Sequence, residues 1–252
     1  MMGRTKGICC LMKLVTSLMF VALVAQATIA VQVPFYDSFD QYELGEDGHQ
    51  PPWQTLFDGI SAQVSDFTSA HWPHSAGKSL KLEGAAGWVR MDYVKLDSMP
   101  NVLSYEATVY LGGGDIHVGF MRKENNQGPM NDFFRFNHSG LITWEGVSGI
   151  NLGEWKPGDI YRVRAEIDGT SQTADVYLFN VITGGWAYKL DAAAYWPREP
   201  AHNILLDQFG ISAGGLGAAS SVYVDDVLII PEPATVLLLG LGGLSLLRKR
   251  RK

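Results

Sequence analysis

The residues best suited to chemistry lie in alternating segments. In Glu166-Ile167-Asp168 two carboxylates stand two residues apart, so an extended strand turns both to one face. Paired carboxylates about 5 Å apart on one sheet face are what retaining glycoside hydrolysis needs. Gly169 and Thr170 follow where a second glutamate would have to stand, so the set is incomplete. The segment reads as a charged solvent face running into a turn. His117 lies opposite Ile116, Val118 and Phe120, and Arg135, Arg162 and Arg164 also fall on polar positions. A histidine base with arginine clamps suits proton abstraction beside a carboxylate. These are residue types without a fixed spacing, and no catalytic residue is assigned. His71 and His74 flank Trp72-Pro73, a loop spacing and not a metal pair.

The elements that would carry these residues are strands. From Tyr161 to Asp168 apolar and charged residues alternate without a fault, Asp168-Gly169 begins a turn, and Ala174, Val176 and Leu178 resume the apolar face. The spacing predicts a hairpin over 161–179. Leu103, Tyr105, Ala107, Val109 and Leu111 form another apolar row, broken by three glycines before Ile116, Val118 and Phe120. Phe133–Phe136 and Leu141–Trp144 flank the turn Asn137-His138-Ser139-Gly140, and a last strand runs from Ser221 to Ile230. Only Asp191–Tyr195 has helical character, ended by Pro197 and Pro200. No repeat or low-complexity linker divides the segment. About 200 residues of short strands and glycine-rich turns predict one all-β antiparallel sandwich over residues 31–230.

Both ends read as targeting segments. Arg4, Lys6 and Lys13 precede the apolar run Leu14–Ala25, and small residues at Ala25-Gln26-Ala27 and Thr28-Ile29-Ala30 follow. That is a secretory signal peptide over residues 1–30, cut after Ala27 or Ala30, delivered through a secretion translocon. Cys9 and Cys10 precede the apolar run, so the mature chain has no cysteine. It must be held by its core, with or without metal, and not by disulfides. At the other end Pro231-Glu232-Pro233 is followed by the uncharged run 234–247 and by Arg248-Lys249-Arg250-Arg251-Lys252. As a helix that run is about 21 Å long, short of the roughly 30 Å hydrocarbon core, which suits transient insertion better than a permanent span.

This order of parts over residues 231–252 resembles the PEP-CTERM sorting signal of Gram-negative bacteria. The resemblance implies export, membrane insertion through a short hydrophobic helix, cleavage by an exosortase near Pro-Glu-Pro, and delivery to the envelope surface or extracellular matrix. A plain tail anchor is the alternative. Without the two ends, 12 of the 20 Lys and Arg and 25 of the 26 Asp and Glu remain, a net charge near −13. Such a surface repels nucleic acid and excludes it as a partner.

Phe35–Asp40 with Trp53, Ser75–Leu82, Trp155 with Gly158–Val163, and Val222–Val227 together resemble the concanavalin A-like, laminin-G-like jelly roll. The resemblance implies two stacked sheets, adjacent first and last strands, polysaccharide binding or cleavage on one sheet, and a structural calcium near the paired termini. Asp40, Asp225 and Asp226 are the calcium candidates, strand alternation turning only one of the last two inward. A buried hydrogen-bond network is the equal alternative. Trp72, Trp144 and Trp196 sit beside loops and are the candidates to stack on sugar rings, with His71, Glu145 and Arg198 near them. Trp53, Trp88 and Trp155 read as core. The expected function is a surface or matrix protein that binds extracellular polysaccharide or serves as structure. The alternative is a polysaccharide-active hydrolase or lyase on the same fold.

Overall fold

The computed structural model describes residues 30–45, 51–67, 77–97, 102–121, 130–145, 149–168, 171, 173–194, 208–215 and 218–231. Of the two targeting segments only Ala30 and Pro231 are among them; Trp72 and Trp196 lie outside. Among the described residues the regular elements are all strands: β1 (Ala30–Val31), β2 (Phe35–Asp37), β3 (Trp53–Asp58), β4 (Ser61–Ser65), β5 (Ser79–Gly84), β6 (Arg90–Leu96), β7 (Val102–Gly113) and β8 (Ile116–Met121). Then come β9 (Met130–Phe136), β10 (Leu141–Glu145), β11 (Ile150–Glu154), β12 (Ile160–Asp168), β13 (Thr173–Asn180), β14 (Gly185–Ala194), β15 (Gln208–Ala213) and β16 (Ser220–Pro231).

Two eight-stranded sheets stack face to face. The first runs β1-β6-β15-β8-β9-β10-β11 with β3 beside β6, and the second runs β14-β13-β12-β7-β16-β5-β4 with β2 beside β16. All pairings are antiparallel except the two-residue β1, which lies parallel to β6. The expected hairpins form: β12 and β13 pair from Tyr161↔Asn180 to Asp168↔Thr173, and β9 and β10 pair from Phe136↔Ile142 to Phe133↔Glu145. The last strand, β16, lies beside β2, through Phe35↔Ile229 and Asp37↔Val227, while the two-residue β1 joins the other sheet.

The period-two pattern fills the space between the sheets. Leu103, Tyr105, Ala107, Val109 and Leu111 of β7 are fully buried and face Val118, Phe120, Phe134 and Phe209 of the other sheet. The Tyr105 ring meets Phe120 edge-on at 5.2 Å, and its hydroxyl donates to the Val118 carbonyl at 3.4 Å, so the one polar atom of this cluster is satisfied.

Two sequence expectations fail here. Asp191–Ala194 is not helical but completes β14, with Ala193↔Ala174 and Ala194↔Thr173. Ladder bonds to β13 outweigh the modest helix preference of three alanines. Trp88 is not core: it is 60% exposed at a tight reversal bridging Ala85 and Trp88, while Trp53 and Trp155 are buried as expected.

Candidate functional site

Each core strand of the first sheet presents a second face. Because Ile116, Val118 and Phe120 point inward, His117 and Gly119 point outward, and the same holds for Ser212 and Gly210 between Ile211, Phe209 and Ala213. Register then lines these positions up across the sheet. Ser212 stands opposite His117, His117 opposite Arg135, and Arg135 opposite Thr143, a row of about 14 Å at the usual strand spacing of roughly 4.8 Å. The next row runs Tyr93, Gly210, Gly119, the position of Phe133, and Glu145. Its two adjacent glycines, both buried, put no side chain in the middle of the row.

Polar contacts hold the rows in place. Ser212 Oγ and His117 Nδ1 are 3.0 Å apart. Thr143 donates to Glu145 Oε1 at 2.7 Å, and Arg135 lies between two carboxylates, 3.9 Å from Glu145 and 3.7 Å from Asp115. Asp115, 2% exposed, also accepts from the His138 backbone at 3.3 Å and bonds its ring at 3.1 Å. At the other end Tyr93 donates to Gln54 Oε1 at 2.9 Å. Met91 and Tyr93 pack with Leu56, Phe57 and Val89 as a small apolar bank beside the rows. The Gln208 side chain is buried, and its Oε1 has no hydrogen-bond partner among the described residues.

Burial pushes the His117 pKa down from 6.5 to about 4, the nearby Arg135 charge adds to this, and Asp115 opposes it. The imidazole is therefore neutral at pH 7, with one ring nitrogen as donor and the other as acceptor. It is a ready hydrogen-bonding group but a weak base at neutral pH. Gly210-Ile211-Ser212-Ala213-Gly214 has the Gly-x-Ser-x-Gly spacing of a nucleophile elbow. Ser212, however, sits inside the extended strand β15, paired on both sides and fully buried, and not on a sharp strand-to-helix turn.

The structure redistributes the expected site residues. Trp144, read as a sugar platform, is 0% exposed on the inward face of β10 and packs edge-on against Phe134 at 5.4 Å. It offers no open ring, because it alternates with Thr143 and Glu145, which take the outer face. Trp72 and Trp196 fall outside the described residues. Glu166 pairs with Arg164, Arg162 pairs with Glu106 at 3.3 Å, and Asp168 holds Ser171, all on the outer face of the second sheet. His117 and Arg135 are thus together, with Arg162 and Arg164 on the other sheet.

The calcium candidates do not converge. Asp40 accepts from the Lys78 backbone at 3.0 Å and from Ser38, Asp225 Oδ1 accepts from the Asp226 backbone at 2.7 Å, and Asp226 Oδ1 accepts from the Tyr36 hydroxyl at 2.7 Å. Among the described residues no group of three or more His, Cys, Asp or Glu side chains is arranged to hold a metal. The carboxylate buried at the paired termini is instead Asp37, 2% exposed. It accepts from the Phe39 backbone, the Gln41 amide, the Tyr42 hydroxyl and the Trp53 indole, each at 2.8 Å. Only one of the pair is buried, Asp225 opposite Thr108, and a β-bulge with Asp226 at φ 51° lets Val224 and Val227 both stay in the core.

A family model described as the PEP-CTERM protein-sorting motif matches residues 230–252. No curated protein matches the chain. Among solved structures the domain is similar to the catalytic domain of a glycoside hydrolase family 131 protein from Coprinopsis cinerea, at 11% identity and a TM-score of 0.53, covering 78% of this chain and 93% of that one. It is similar to peanut lectin at 11% identity and a TM-score of 0.51, covering 78% and 97%. A sialidase also aligns, at 13% identity and a TM-score of 0.49, with 75% of this chain spanning 18% of that one. The fold is a lectin-like jelly roll, and the tail carries the sorting motif of an exported protein.

Proposed function

We propose that this is an exported protein, trimmed at its tail by an exosortase-type enzyme, whose jelly roll binds extracellular polysaccharide on the outer face of the first sheet. One observation carries the reading: Arg135, Thr143 and Glu145 stand partly exposed side by side on that face, backed by the part-buried Ser212-His117 pair in the same row. The guanidinium, hydroxyl and carboxylate of these three side by side match the alternating donors and acceptors of sugar hydroxyls. An apolar bank beside them suits the C–H face of a ring. The similarity to a lectin and to a glycoside hydrolase domain supports a glycan as ligand.

A second reading, polysaccharide cleavage, is favoured by His117 and Arg135 lying opposite each other with Glu145 nearby. The low basicity of His117 weighs for binding instead. The test is to express residues 31–231, apply them to a polysaccharide array with and without calcium, and assay each positive spot for released sugar or unsaturated ends. Binding without product supports the first reading, product supports the second, and no binding refutes both.

A further inference from the structure

The sorting motif begins at residue 230, yet β16 runs to Pro231. No spacer separates the folded sheet from the segment that is to be cut. On one side the strand end is laddered to β7 through Ile230↔Ser104 and Pro231↔Leu103. On the other side, one residue earlier, Phe35↔Ile229 and Tyr36↔Leu228 tie it to β2. Leu103 and Ile229 are fully buried, so peeling the strand back past Ile230 opens the core. Up to Pro231 the strand is held at least on its β7 side, whereas proteolysis acts on extended chain released by local opening.

We infer that the end of β16 is a folding-dependent gate on tail removal: the rim formed by β16, β7 and β2 abuts the membrane-bound processing enzyme, and cleavage waits on fraying of Ile230 and Pro231. This rests on the processing proposed above. The chemistry gated is hydrolysis of one peptide bond, in which the acyl carbon gains the hydroxyl of water and the departing tail's nitrogen gains the proton. The gate confines the cut to the tail side of the strand, so the mature domain keeps all of β16 and with it the ladder to three neighbouring strands.

The test uses the full chain, pulse-labelled in cells that carry an exosortase, with tail loss followed by mass. One variant inserts a six-residue Gly-Ser spacer between Ile230 and Pro231, keeping Pro-Glu-Pro intact. Another, Ser104→Cys with Ile230→Cys, locks two directly opposed residues in a domain that otherwise has no cysteine. The spacer is expected to speed processing roughly tenfold and the lock to slow it by a similar factor, reversed by a reductant. A wild-type chain trimmed at the same rate as both variants overturns the gate alone. A tail retained in every variant, spacer included, overturns the processing reading and the gate with it.

Discussion

Replacing His117 by Gln removes the one titrating group of the Ser212-His117-Arg135 row while keeping an amide able to bond Ser212. Its pKa is depressed in the folded protein, to about 4 from 6.5. The fold therefore favours the neutral ring. The stability this contributes is complete above pH 6.5 and is lost as pH falls from there toward 4. At about 1.36 kcal/mol per pH unit the gap is worth roughly 3 kcal/mol. Urea unfolding of wild type and His117→Gln at pH 7.5, 5.5 and 4 isolates the effect, since other carboxylates cancel in the difference. Wild type should lose about 3 kcal/mol more than the variant between pH 7.5 and 4. Parallel profiles, differing by less than about 0.5 kcal/mol across that range, would refute the burial argument for the whole row.

Other consequences follow from the same geometry. Asp37→Ala leaves the buried Trp53 indole and the Phe39 backbone without their acceptor, and is expected to cost about 3 kcal/mol, read as a fall of about 1 M in the urea midpoint. Gly214 has φ 108° and a side chain there would meet the Trp88 carbonyl at 2.7 Å, so Gly214→Ala should lower Tm by about 5 °C or more in a thermal melt. Ala30 pairs with Lys95 in β1, so mass spectrometry of the mature N-terminus should find Thr28 first, cleavage having fallen after Ala27; a start at Val31 contradicts a role for β1.

The architecture was legible because its strands alternate. Tyr161–Asp168 and Leu103–Leu111 carry their burial pattern in their own residues, and Asn137–Gly140 fixes the register that sets Arg135 opposite Thr143. What lay beyond reach depends on contacts distant in sequence. Nothing local tells that His117 stands opposite Arg135, since the intervening segment 122–129 has no pattern that sets a register, or that Ser212, 95 residues on, completes the row. The tryptophans depart from expectation for a related reason. Trp144 continues the inward period of Ile142, although a turn lies close by, and Trp88 has apolar neighbours but sits where the chain reverses. Asp37 hides in a motif whose more exposed Asp40 is the plainer metal candidate, and only the fold brings Trp53 and Tyr42 to it.

The measurement closest to the central claim is the affinity of wild type and Arg135→Gln for a polysaccharide returned by the array, by titration at constant salt, with Tm recorded for both. The account predicts binding weakened tenfold or more, about 1.4 kcal/mol, with Tm shifted by only a few degrees. Equal affinity in the two proteins would contradict it and move the glycan off this face.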